Sequence, residues 1–84
     1  MKVEHTTEVV ALCPIDNLPD VYTLIVRSSR IVKVEDILAA AAPLASERLF
    51  QEDLTQRLHR VLACEVETIG HHSGVRTRAI CGAA

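Results

Sequence analysis

From residue 2 to residue 13 the chain alternates. Val3, His5, Thr7, Val9, Ala11 and Cys13 fall on one side of an extended segment, with Glu4, Thr6, Glu8, Val10 and Leu12 on the other. A period of two over this length predicts a β-strand. A second strand is predicted over 21–29, where Val21, Tyr22, Thr23, Leu24, Ile25 and Val26 put β-branched and apolar residues on both faces. After Ser28-Ser29-Arg30 the period lengthens. Val34, Ile37, Leu38, Ala41 and Ala45 follow the i, i+3, i+4, i+7 spacing of an amphipathic helix with a narrow, alanine-rich face. Pro43 disfavours helical geometry at Ala42, so the helix is expected to stop or kink there. Residues 46–49 connect it to a clearer helix with a stripe of Phe50, Leu54, Leu58, Val61 and Leu62. Glu52 and Asp53 near its start, and His59 and Arg60 near its end, suit the helix dipole. Two more strands are predicted at 64–69 and 75–81, flanking a glycine-bounded hairpin loop, Gly70-His71-His72-Ser73-Gly74. The tail Gly82-Ala83-Ala84 is expected to fray.

Strand, strand, helix, helix, strand, strand is an α+β order. It implies one domain spanning 1–84, a four-stranded antiparallel sheet with both helices on one face. Apolar residues on the second sheet face then lack cover from this chain, and a closed oligomeric barrel or another subunit would supply it. Composition pulls the same way. The 84 residues are 49% apolar with a mean hydropathy of +0.21, yet they include one Phe, one Tyr and no Trp. A core of small side chains in so short a chain leaves a thin stability margin, which predicts a homo-oligomer.

Charge and cysteine usage narrow the partners. A net charge of −2 argues against a dedicated nucleic-acid binder, which would carry a basic stripe. No apolar run approaches a membrane span, and Lys2 and Glu4 stand where a signal peptide needs an apolar stretch. Cys13, Cys64 and Cys81 are odd in number and unrelated in spacing, which fits a reducing compartment and a cytoplasmic location.

The connection between the first two strands holds the most chemistry. Cys13-Pro14-Ile15-Asp16-Asn17-Leu18-Pro19-Asp20 carries a thiol, two prolines and carboxylates. The prolines fix two φ angles, and a connection between neighbouring strands brings its ends together. Cys13 and Asp20 are therefore a candidate nucleophile and proton carrier. The alternative is an ordinary semi-buried strand cysteine beside turn-forming Asp16, Asn17 and Asp20.

The element order resembles the tunnelling fold, whose members bind purine- or pterin-like rings at subunit interfaces. The loop resembles the Cys-Pro-x-x-x-x-Pro-Asp signature of the 7-cyano-7-deazaguanine reductases, and Phe50-Gln51-Glu52-Asp53 resembles their Phe-His-Glu-Asp. The resemblance implies that Cys13 adds to a nitrile carbon as a thioimide, that Asp20 relays the proton, and that Glu52 anchors the deazaguanine edge. Gln51, His71 and His72 are implied as further substrate contacts. Two departures matter. The reductases' lysine-rich helix segment, tied to their nicotinamide cofactor, is here Glu35-Asp36-Ile37-Leu38-Ala39-Ala40-Ala41-Ala42, and Gln51 replaces a histidine. No cofactor is therefore expected, NADPH included. The chain is similar instead to the short QueF-like amidinotransferases, in which ammonia displaces the thioimide to give an amidine on a base in tRNA. The substrate is then a 7-deazaguanine, free or in a nucleic acid, at an intersubunit site. The alternatives are an NADPH-dependent nitrile reductase, a non-catalytic purine- or pterin-binding protein, and a zinc enzyme of the GTP cyclohydrolase type. The zinc reading draws on His71, His72, Cys64 and Cys81, which lack Cys-x-x-Cys or His-x-His spacing, so no metal site is assigned.

Overall fold

The computed structural model describes residues 1–82, so the frayed-tail expectation for Ala83 and Ala84 lies outside the described residues. The order is β1 (Val3–Leu12), β2 (Pro19–Ser28), α1 (Val34–Ala41), a 3-10 turn at Ala42–Ser46, α2 (Gln51–Leu62), β3 (Glu65–His72) and β4 (Val75–Cys81). The strands form one antiparallel sheet in sequence order. This is the ββααββ plan expected from the hydrophobic pattern. As expected, Pro43 ends α1: the helix gives way to the tighter turn at Ala42.

One sheet face packs on the helices. Val9, Ala11, Tyr22, Leu24, Val26 and Val66 meet Ile37, Leu44, Leu54, Leu58 and Leu62 in a single core. The helix stripes are narrower than their spacing predicted. In α1, Ile37 and Ala41 are buried, whereas Val34, Leu38 and Ala45 are exposed. In α2, Phe50 is the residue before the first turn and is half exposed, and Val61 is exposed. The buried face of α2 instead runs Gln51, Leu54, Thr55, Leu58 and Leu62. Its two polar members are tolerated because each is hydrogen-bonded.

The second hairpin is tighter than the glycine-bounded loop expected. Gly70, His71 and His72 belong to β3, and the turn is Ser73-Gly74 alone. Both turn residues have positive φ, 51° and 81°, as a two-residue connection of right-twisted strands requires. Likewise β2 starts at Pro19, so Asp20 is a strand residue paired with Ala11.

The outer sheet face carries apolar residues, Val10, Val21, Ile25, Ile69 and Ile80, together with charged ones. An ion-pair chain crosses all four strands: Arg27 holds Glu4 (2.7 Å), Glu65 (2.9 Å) and Glu67 (2.8 Å), and Arg78 holds Glu67 (2.7 Å). Alternation places these charges together, because Glu67 lies opposite Ile25 and Ile80 on the face away from the helices. Glu67 is only 2% exposed, and hydrogen bonds from Arg78 and then Arg27 pull its carboxyl down to about 2.

Candidate functional site

Cys13 follows the last residue of β1 and continues the face of Val9 and Ala11, where it is 5% exposed. Its N–H donates to the Leu18 carbonyl (2.8 Å), and its carbonyl accepts from Asn17 N–H (2.8 Å). Asn17 takes the left-handed conformation, φ 62°, that closes this connection, a geometry Asn tolerates. The Cys13 sulfur accepts the Ile15 N–H at 3.4 Å. Asp16 Oδ1 accepts the Leu18 N–H (3.0 Å), and that bond leads the influences holding the Asp16 carboxyl below its usual range. The loop is thus tied to itself at both ends.

The register decides which side Asp20 takes. It pairs with Ala11, so it shares the helix-facing side with Ala11, Tyr22 and Cys13. Tyr22 comes next on that side, 7% exposed, with its hydroxyl 3.5 Å from Asp20 Oδ2. That separation is the outer limit of a hydrogen bond. Burial, then the neighbouring Asp20 and Cys13, raise the Tyr22 phenol to about 12. It therefore stays a neutral donor at physiological pH.

The start of α2 is brought to this loop by main-chain pairing. Leu12 N–H donates to the Glu47 carbonyl (2.9 Å), and Leu49 N–H donates to the Leu12 carbonyl (3.1 Å), a short parallel bridge on the free side of β1. Arg57 grips Glu47 at 2.6 and 2.7 Å, and Arg48 donates to the Pro14 carbonyl at 2.9 Å. Phe50, Gln51 and Glu52 follow directly. Gln51 then crosses to the second hairpin, with Nε2 3.2 Å from the Thr68 carbonyl and 3.0 Å from the Thr77 carbonyl.

These segments enclose a cavity of about 220 Å³. The six residues expected to act on or contact a substrate all border it: Cys13, Asp20, Gln51, Glu52, His71 and His72. The two histidines are adjacent in a strand, so their side chains leave on opposite faces, His72 on the side of Gly70. The four side chains of the zinc reading do not converge. Cys64 precedes β3 and Cys81 pairs with Val66, while His71 and His72 lie at the other end of that strand. At ~3.3 Å per residue the two ends are separated by roughly 17 Å or more. Among the described residues no three His, Cys, Asp or Glu side chains form a group able to hold a metal ion.

Sequence reasoning missed Tyr22, Gly70 and the polar set behind Gln51. A Cβ on Gly70 would stand 2.6 Å from Tyr22 Cδ1, so glycine is what lets the aromatic ring form the cavity floor. Thr68 and Thr55 hydroxyls bond each other at 2.7 Å beneath Gln51, fully inside the core. The signal available was an aromatic residue opposite a strand glycine.

Architecture and cavity together define a domain of the ββααββ tunnelling-fold plan with a hollow of about 220 Å³ beside its first hairpin. Among solved structures the chain is similar to the crystal structure of the archaeosine synthase QueF-Like in the apo form, with a TM-score of 0.83 and 16% identity over 95% of this chain and 90% of that chain. At that identity the likeness is one of fold. No protein-family model matches the sequence, and no curated protein matches it. No helix among the described residues is long and apolar enough to cross a membrane.

Proposed function

We propose that the chain acts on the nitrile of a 7-cyano-7-deazaguanine through Cys13, without hydride chemistry. The observation that carries this reading is that Cys13 and Asp20, from the two ends of the first hairpin connection, and Glu52, from the start of α2, border one cavity. The fold shared with an archaeosine synthase supports the same ligand class.

A nitrile is a weak electrophile, so it needs a strong nucleophile and a proton at nitrogen together. The Cys13 sulfur bonds the nitrile carbon as one C–N π bond breaks. The thiol proton passes by way of Asp20 to the nitrile nitrogen, giving a thioimide whose mass is protein plus intact ligand. Glu52 accepts hydrogen bonds from the ring N–H and the exocyclic amine, a bidentate charged contact. Ammonia then adds to the thioimide carbon and the thiol leaves, which yields an amidine and regenerates Cys13. The acidic first turn of α1, Glu35 and Asp36, offers no cation to a nicotinamide cofactor's phosphates, so the reading uses no such cofactor. The apolar rim formed by exposed Ile15, Val21 and Phe50 suits closure of the site by a second copy of the chain.

Intact-mass spectrometry after incubation with the free base and, separately, with tRNA bearing it tests the reading. A gain equal to the ligand's mass, reversed by ammonia and missing in Cys13→Ala, is expected. An adduct that persists in Cys13→Ala, or none with either substrate, refutes it.

A further inference from the structure

The Gln51 amide has one orientation open to it. Its Nε2 faces the Thr68 carbonyl (3.2 Å), the Thr77 carbonyl (3.0 Å) and the Thr68 hydroxyl (3.2 Å). Carbonyl oxygens only accept, so turning the amide would set oxygen against oxygen. The opposite end of the amide is what remains for the cavity. Gln51 is 9% exposed, Oε1 has no hydrogen-bond partner among the described residues, and no fully buried side-chain oxygen there lacks one. Oε1 is therefore at the cavity surface. It lies 3.3 Å from the point a Gly70 Cβ would occupy, and Gly70 also borders the cavity. Glu52, the next residue, brings a second acceptor-only group to the same wall when ionised.

We propose that Gln51 is a specificity-determining residue of this cavity. Its locked carbonyl requires an N–H at one point of the bound ring and rejects a ring carbonyl or bare ring nitrogen there. The ligand class is an amino-substituted heterocycle that turns donors to Gln51 and Glu52 together. This rests on the proposed reading for the identity of the ring. In 7-cyano-7-deazaguanine the ring N–H and one amino hydrogen go to Glu52, and the second amino hydrogen goes to Gln51 Oε1. An acceptor desolvated without a donor is costly, so losing that hydrogen weakens binding about tenfold or more.

The test is calorimetric binding to the Cys13→Ala protein, which keeps association reversible. The probes are 7-cyano-7-deazaguanine and its 2-methylamino analogue, which retains one amino hydrogen and so satisfies Glu52 alone. The parent is expected to bind about tenfold or more tightly. In a Gln51→Met background, where no acceptor remains, that ratio should fall to within about twofold of unity. Equal affinity for the two probes with Gln51 present overturns the proposal. So does an unchanged ratio in Gln51→Met, because the methyl group's bulk would then explain the loss. Should Gln51→Met fail to fold, a structure of the Cys13→Ala complex decides: Oε1 within 3.2 Å of the amino nitrogen supports the assignment, and any other arrangement overturns it. Absence of a covalent adduct on the wild-type protein would refute the nitrile chemistry while leaving these affinities in place. Failure of the parent base to bind at all overturns the Gln51 assignment, whereas the nitrile chemistry falls only if tRNA bearing the base also gives no adduct.

Discussion

Replacing Gly70 by alanine sets two effects of opposite sign against each other. Gly70 lies in β3 and is absent from the positive-φ glycines, so its backbone conformation suits any L-residue. At such a site alanine normally stabilises by roughly 0.4–1 kcal/mol, because the unfolded chain loses fewer conformations. Here the new Cβ would stand 2.6 and 2.7 Å from Tyr22 Cδ1 and Cε1, against the ~3.5–4.0 Å of an unstrained carbon contact. The ring must retreat by about 1 Å, yet it is 7% exposed and packed in the main core. Overpacking of this kind costs about 1–3 kcal/mol, so the clash wins and Gly70→Ala is destabilising. For a chain of this length each ~1 kcal/mol moves the melting temperature by roughly 4–8 °C. Calorimetry and guanidinium denaturation should both register the loss. In a Tyr22→Leu background the ring edge is gone, and the Gly70→Ala cost should shrink by about 1–2 kcal/mol. An unchanged or raised melting temperature for Gly70→Ala refutes the reasoning. A cost that survives in Tyr22→Leu shows that the ring is not its source.

Tyr22 is the only tyrosine, so ultraviolet absorbance reads its ionisation directly, with a midpoint expected near 12 and brought down by Asp20→Asn; a midpoint at the ordinary 10 contradicts the burial and charge argument. Because the folded phenol pKa is raised, the stability it confers is whole below pH 10 and is lost as pH climbs toward about 12, which alkaline unfolding curves will show. Glu67 runs the other way: its depressed carboxyl gives stability that is whole above 4.5 and lost as pH falls toward about 2, so Glu67→Gln should flatten the acid dependence between those values and lower stability at pH 7 by about 3 kcal/mol in urea titrations. Ala63 ends α2 in the left-handed conformation, φ 53°, where a Cβ is penalised, so Ala63→Gly should raise stability by roughly 0.5–1 kcal/mol and a loss in thermal melting would contradict it.

The sheet and the order of its elements were legible because burial follows a period of two along β1 and β2 and a proline marks the end of α1. The helix faces were read less well. Phe50 and Val61 fit an apolar stripe in spacing, but Phe50 precedes the first helical turn and Val61 sits on the helix's exposed flank. The positions that do face the sheet at that end are Gln51 and Thr55, which polarity removes from any hydrophobic count. They are buried because Thr68, across the core, supplies hydrogen-bonding partners to both. A pairing between residues so distant in sequence leaves no local trace. The same holds for Gly70: between two histidines and a Ser-Gly pair it reads as turn, and only its position opposite a tyrosine marks it as strand.

The candidate site divides along a similar line. Cys13 and Asp20 were visible together because one short connection carries both, and the register Ala11 to Asp20 converts that proximity into a shared face. Glu52 and Gln51 entered only through resemblance, since nothing local distinguishes a carboxylate at a helix start from one that complements the dipole. What joins the two halves is the bridge between Leu12 and the stretch Glu47–Leu49, held from behind by Arg57. Its sequence, Glu-Arg-Leu, announces nothing, because main-chain groups do the pairing and any residues but proline would serve. The cavity thus depends on backbone hydrogen bonds to bring the start of α2 to the first loop and on side-chain hydrogen bonds to aim Gln51. Gln51 is where the two kinds meet: the bridge sets its position at the mouth of α2, and the Thr68 and Thr77 carbonyls set which amide atom is left toward the cavity.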